Sequence, residues 1–110
     1  MPLNRGRSLN PAANEDTEIL YATASYLVAI IASNMSDSKE SRISVWVEPY
    51  EYLPISSGEE EEKRAYVIKE GSLPPNGSYE SWRFAVNPED FVYVKSNNGK
   101  ASFTIELVAQ

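Results

Sequence analysis

From Thr17 onward, apolar and polar residues alternate in short runs separated by turn-forming residues. A period of two places successive side chains on opposite faces of a strand, and no segment holds a helical period for about ten residues. In 42–48 the alternation is clean: Ile43, Val45 and Val47 share one face, Ser44 and Trp46 the other. Residues 101–109 repeat it, with Phe103, Ile105 and Leu107 set against Ser102, Thr104 and Glu106. Residues 26–33 are apolar on both faces, which predicts a central strand covered on each side. Further strands are predicted over 17–22, where Ile19 and Tyr21 share a face, and over 65–69, 78–86 and 91–95. The best helical competitor is 17–32, but its β-branched and aromatic content favours strand.

The connectors carry turn chemistry. Asn98-Gly99 lies between two alternating segments and predicts a hairpin with positive φ at both central residues. Pro74-Pro75-Asn76-Gly77 predicts a second turn, and 34–41 a polar loop. About seven short strands at regular spacing predict an all-β fold, an antiparallel β-sandwich of jelly-roll or Ig-like type. Closure into a barrel stays open at this level.

Residues 1–16 lack any apolar period and are rich in Asn, Pro, Gly, Ser and Ala. They predict an extended N-terminal arm preceding a single sandwich domain over 17–110. At roughly 3.3 Å per residue such an arm reaches about 50 Å, enough to cross onto a neighbouring subunit. Arg5 and Arg7 would there meet acidic surface, giving orientation more than affinity. Deleting the arm is expected to leave a folded monomer that no longer joins its assembly.

Composition narrows the chemistry. The 110 residues allow one domain, and 42 % apolar content is enough for one core. With neither cysteine nor histidine, disulfides, thiolate zinc sites, imidazole ligands and His-based general bases are all excluded. No phosphate-binding glycine loop occurs and no histidine is present to activate a serine, so the expectation is a protein without catalysis, cofactor or metal. Sixteen acidic against ten basic residues give a net charge of −6, which repels phosphate backbones and argues against nucleic acid as a partner. The longest apolar run, 26–32, is too short to span a bilayer, and the N-terminus has no secretory h-region. Glu59 to Glu62 form an acidic run before Lys63 and Arg64. Lacking the alternating ligands of a calcium loop, it reads as a solvated loop, with contact to a partner's basic patch, such as Arg5 or Arg7 of a neighbouring arm, as the alternative.

The aromatic residues are the remaining candidates. Trp46, Tyr50 and Tyr52 surround Pro49, and Trp82 stands in Ser-Trp-Arg-Phe. Trp46 falls on the face opposite Ile43, Val45 and Val47. Either the two tryptophans complete the core or its edge, or Trp46 is covered by a partner, or the aromatic group forms a sugar platform.

The order of these segments resembles small β-sandwich structural proteins of tailed bacteriophages. The likeness rests on Ile19-Leu20-Tyr21-Ala22, on Leu27 to Asn34, and on Val45-Trp46-Val47-Glu48-Pro49. It continues through Ala65-Tyr66-Val67-Ile68, the turn from Leu73 to Ser78, Asn87-Pro88-Glu89-Asp90 leading into Phe91 to Val94, and the segment from Ser96 to Phe103. It covers 17–108 and departs in the acidic insertion 56–64. The resemblance implies a virion structural protein, of capsid decoration or cement type or a neck or tail accessory. Such a protein is made in the host cytoplasm and contacts other virion proteins and copies of itself as a homo-oligomer. The partner-binding candidates are Arg5, Arg7, Trp46, Tyr50 and Tyr52. The competing reading is a carbohydrate- or receptor-binding β-domain that uses exposed aromatics.

Overall fold

The computed structural model describes residues 4–50 and 64–109, with 4–8 as backbone alone. Among them are nine strands and no helix: β1 (Asn4–Leu9), β2 (Thr17–Tyr21), β3 (Tyr26–Asn34), β4 (Ser41–Glu48), β5 (Ala65–Leu73), β6 (Ser78–Glu80), β7 (Phe84–Val86), β8 (Phe91–Ser96) and β9 (Ala101–Ala109). They build two antiparallel sheets. The first runs β1-β9-β3-β6, with β7 on the same side of β3 as β6; the second runs β2-β8-β4-β5. Among strands consecutive in the chain, only β4 and β5 pair with each other. Nearly every other connection crosses between sheets, which is the winding of a jelly roll. The fold is therefore the predicted sandwich, and its strand order selects the jelly roll over the Ig-like alternative.

Alternation is what makes the two sheets adhere. β3 and β9 send Val28, Ile30, Phe103 and Ile105 between the layers, where Ile19, Ile43, Val45, Val92 and Val94 meet them, all fully buried. Each such side chain contributes roughly 1.5–3 kcal/mol by leaving water. β3 is central, as expected, but its other face is less dry: Leu27 and Ile31 remain half-buried.

Four expectations are corrected. Ile19 and Tyr21 do not share a face: a bulge between Glu18 and Leu20 leaves Ile19 in the core and turns Tyr21 outward beside Phe91. Asn98-Gly99 does not close a hairpin, because β8 and β9 belong to different sheets. Only Gly99 of the pair has positive φ, 70°, and a Cβ there would lie 3.3 Å from the Ala13 nitrogen. Segment 78–86 is two strands rather than one. Ser81 interrupts it by bonding to Ile30 twice, accepting from its N–H through Oγ and donating to its carbonyl, each at 2.9 Å. The last concerns 1–16: within it, Asn4–Leu9 is a strand of the sandwich, paired with β9 of the same chain, with a register break between Arg5 and Ser8.

Other turns follow their sequence. Asn76 takes φ of 58°, and Gly77 N–H donates to the Pro74 carbonyl at 2.8 Å. Asn34, buried at the end of β3, ties that turn to the loop before β4. Its amide donates to the carbonyls of Lys39, Leu73 and Pro74 at 2.8, 3.1 and 3.1 Å, and its Oδ1 accepts from Ser36 N–H at 3.0 Å.

Candidate functional site

The outer face of the β2-β8-β4-β5 sheet carries the most organised group of side chains. Val45, Val47, Val92 and Val94 point inward, so the residues between them point out, and antiparallel register sets Trp46 opposite Tyr93 and Tyr66. The result is a row of rings across all four strands. Tyr21 and Phe91 lie 4.9 Å apart, Phe91 and Tyr93 6.0 Å, and Trp46 is 5.6 Å from both Tyr93 and Tyr66. Aromatic pairs at these separations add about 0.5–1.5 kcal/mol each beyond area burial.

Trp46 is only 1 % exposed although it faces away from the core. Arg64 covers it, its guanidinium carbon 4.4 Å from the ring centroid. That guanidinium is held at its edges by Asp16 at 2.9 Å, the Tyr66 hydroxyl at 3.3 Å and Glu48 at 3.8 Å. Glu48 also accepts from the indole N–H at 3.0 Å. The hydrogen bond to Tyr66 is the main cause raising the Arg64 pKa, with Asp16 adding to it and burial opposing. Burial pushes the Tyr93 hydroxyl up as well, reinforced by Glu48, Glu18 and Asp16.

Beside this cover is a concavity of about 320 Å³ lined by Arg42, Arg64, Lys69, Lys95, Glu70 and Asn97. Asn14, Ser44, Trp46 and Tyr66 complete its described wall. Lys69 lies 5.1 Å from the Tyr66 ring centroid, and Lys95 3.9 Å from Asp16.

A second surface lies where the β5 edge meets β7. A groove of about 360 Å³ runs past Pro49, Tyr66, Val67, Trp82 and Phe84. Trp82, next to Ser81, is 66 % exposed, and Tyr50, tied to Asp90, is 63 % exposed. Asp90 fixes this corner. Buried itself, it accepts from Tyr50 N–H and Asn87 N–H, both at 2.9 Å.

The predicted candidates separate accordingly. Trp46 is buried on the outer sheet face by the chain's own Arg64, so it offers no exposed contact to a partner or a sugar. Tyr50 is exposed as a contact residue must be. Arg5 and Arg7 fall on β1, where only the backbone is described, and Arg5 stands opposite Glu106. Tyr52 and the run Glu59 to Glu62 lie outside the described residues. The sequence reading does not contain the role of Arg64 or the ring row through Tyr66, Tyr93, Phe91 and Tyr21. Alternation in 91–95 does contain the signal, since Phe91 and Tyr93 must oppose Val92 and Val94. No family model, curated protein or solved structure matches this chain.

Proposed function

We propose that this chain is a non-enzymatic structural subunit of a tailed-phage virion, a capsid decoration or neck and tail accessory protein. It contacts other virion proteins, or copies of itself, through its Tyr50–Trp82 edge. One observation carries the contact: Trp82, 66 % exposed, lines a groove between the two sheets, and Tyr50, 63 % exposed, lines an adjoining hollow that shares Pro49, Asn87 and Asp90 with it. Exposed aromatics of this kind are enriched at the centres of interfaces, where they desolvate fully in the partner's pocket. The virion assignment is supported by the sequence resemblance and by a jelly-roll winding, an architecture that capsid proteins use among others.

The test is mass spectrometry of purified phage particles encoding this chain, followed by complementation with Trp82→Ala. The reading expects the chain in particles at a reproducible copy number and a variant that incorporates at least tenfold less. Its absence from particles would reject the virion role; full incorporation of the variant would reject the edge. The competing sugar-platform reading loses Trp46 and would have to rest on Tyr50 and Trp82. It requires the isolated domain to bind neutral glycans and Trp82→Ala to abolish that binding.

A further inference from the structure

We infer that the concavity on the outer face of the β2-β8-β4-β5 sheet is a binding site for a carboxylated sugar. It is a different surface from the Tyr50–Trp82 edge; Tyr66 borders both.

The chain is acidic overall, yet four of its ten basic residues, Arg42, Arg64, Lys69 and Lys95, line this one hollow. Carboxylates already pair with three of them, Asp16 and Glu48 with Arg64, Asp16 with Lys95 and Glu40 with Arg42, so a bound anion would join an existing ion-pair network rather than relieve bare like-charge repulsion. The cations are also anchored. Arg64 is held by Asp16 and Tyr66, Lys95 lies 3.9 Å from Asp16, and Arg42 pairs with Glu40 at 3.4 Å. Fixing donors in advance lowers the ordering cost of binding.

The remaining lining selects among anions. Glu70 is the one carboxylate among the described lining residues, and it faces the hollow alongside the amides of Asn14 and Asn97. A phosphate dianion has no use for Glu70 and is repelled by it. A sugar acid brings a single negative charge for the cations and several hydroxyls that can donate to Glu70 and to the amide oxygens. The hollow, about 320 Å³, is at the small end of ligand sites and suits one or two sugar rings. Trp46, sealed beneath Arg64, serves as floor rather than as stacking platform.

The test is calorimetric titration of the whole chain with glucuronate, N-acetylneuraminate, glucose and inorganic phosphate at matched ionic strength. The two acids separate the possible sources, a uronate or a sialate. Binding of at least one of them, with Kd on the order of 1 mM or tighter, is the expected result. Arg42→Gln combined with Lys69→Gln is expected to weaken it at least tenfold, and Lys95→Gln, made separately, to weaken it as well. Lys39→Gln, away from the hollow, leaves it unchanged. Melting temperature confirms that each variant is folded. No binding of either acid, glucose binding as tightly, phosphate binding more tightly, or full affinity in both pocket variants would each overturn the site. None of these results alters the incorporation test at Trp82, so the two readings stand or fall separately.

Discussion

Trp46 and Tyr93 face each other across β4 and β8 with ring planes 9° apart and centroids separated by 5.6 Å. The pair lies on the side of the sheet that a sandwich ordinarily leaves wet. What keeps water away is local: Arg64 above the indole and Tyr66 beside it. The domain thus has a small second cluster outside its main core, and the hollow proposed to bind a sugar acid is built on it.

Trp46→Ala should therefore destabilise the domain as a core truncation does, by about 3–5 kcal/mol. Arg64→Ala, which removes the cover but leaves the rings, should cost about 1 kcal/mol. Urea unfolding of the two variants distinguishes them. Equal and small effects would mean that the indole is not sealed.

Asn34 unites two loops through four hydrogen bonds to the backbone. Asn34→Ala leaves the carbonyls of Lys39, Leu73 and Pro74 without that donor, and should cost about 1–3 kcal/mol. Asn34→Asp should be worse, because a carboxylate replaces the donor and faces three carbonyl oxygens. Thermal melts of both variants test the ranking.

Asp90 links stability to the exposed edge. Asp90→Ala removes the acceptor for Tyr50 N–H and Asn87 N–H and should cost about 1–3 kcal/mol. Tyr50 would also lose its anchor. Nuclear magnetic resonance should show the largest shift changes at 87–91 and at Tyr50, with the 96–100 connection unaffected.

Alkaline pH offers a further test. Burial raises the pKa of Tyr79 and Tyr93 above the ordinary 10.0, so the folded state keeps protons that the unfolded chain has lost. Their contribution to stability is complete below about pH 10 and disappears as pH rises through the folded values. Stability, read from denaturation midpoints, should therefore fall as pH rises above about 10. Tyr93→Phe should make that fall shallower, and an unchanged slope would contradict the half-buried setting of the Tyr93 hydroxyl.

Removing residues 1–16 now carries a different expectation from the one the sequence suggests. The deletion strips β1 from β9 and leaves nine residues, Ala101–Ala109, as an open edge. Open edges recruit other strands. The truncated chain should melt at lower temperature and show a higher mass by light scattering, growing with concentration. A stable truncated monomer would mean that β1 contributes little to the fold.

How much of this was legible depends on the range of the interaction. The inward sets Ile43/Val45/Val47 and Phe103/Ile105 follow from a period of two, which is a property of neighbouring residues in a strand. The Pro74–Gly77 turn is equally local. Asn98-Gly99 misled because its chemistry permits a tight turn but does not say whether the next strand returns to the same sheet. Ser81 gave no warning either, since its two bonds go to Ile30, far away in the chain.

Taken alone, the sequence determined the fold class, the inward face of most strands, and the absence of thiol and imidazole chemistry, because each depends on residue type or on spacing along one strand. Tertiary structure decided the jelly-roll order, the pairing of β1 with β9, the burial of Trp46 and the exposure of Trp82. It also gathered Arg42, Arg64, Lys69 and Lys95 around one hollow. Those are pairings between residues distant in the chain, set by which strands become neighbours once both inward faces are buried together.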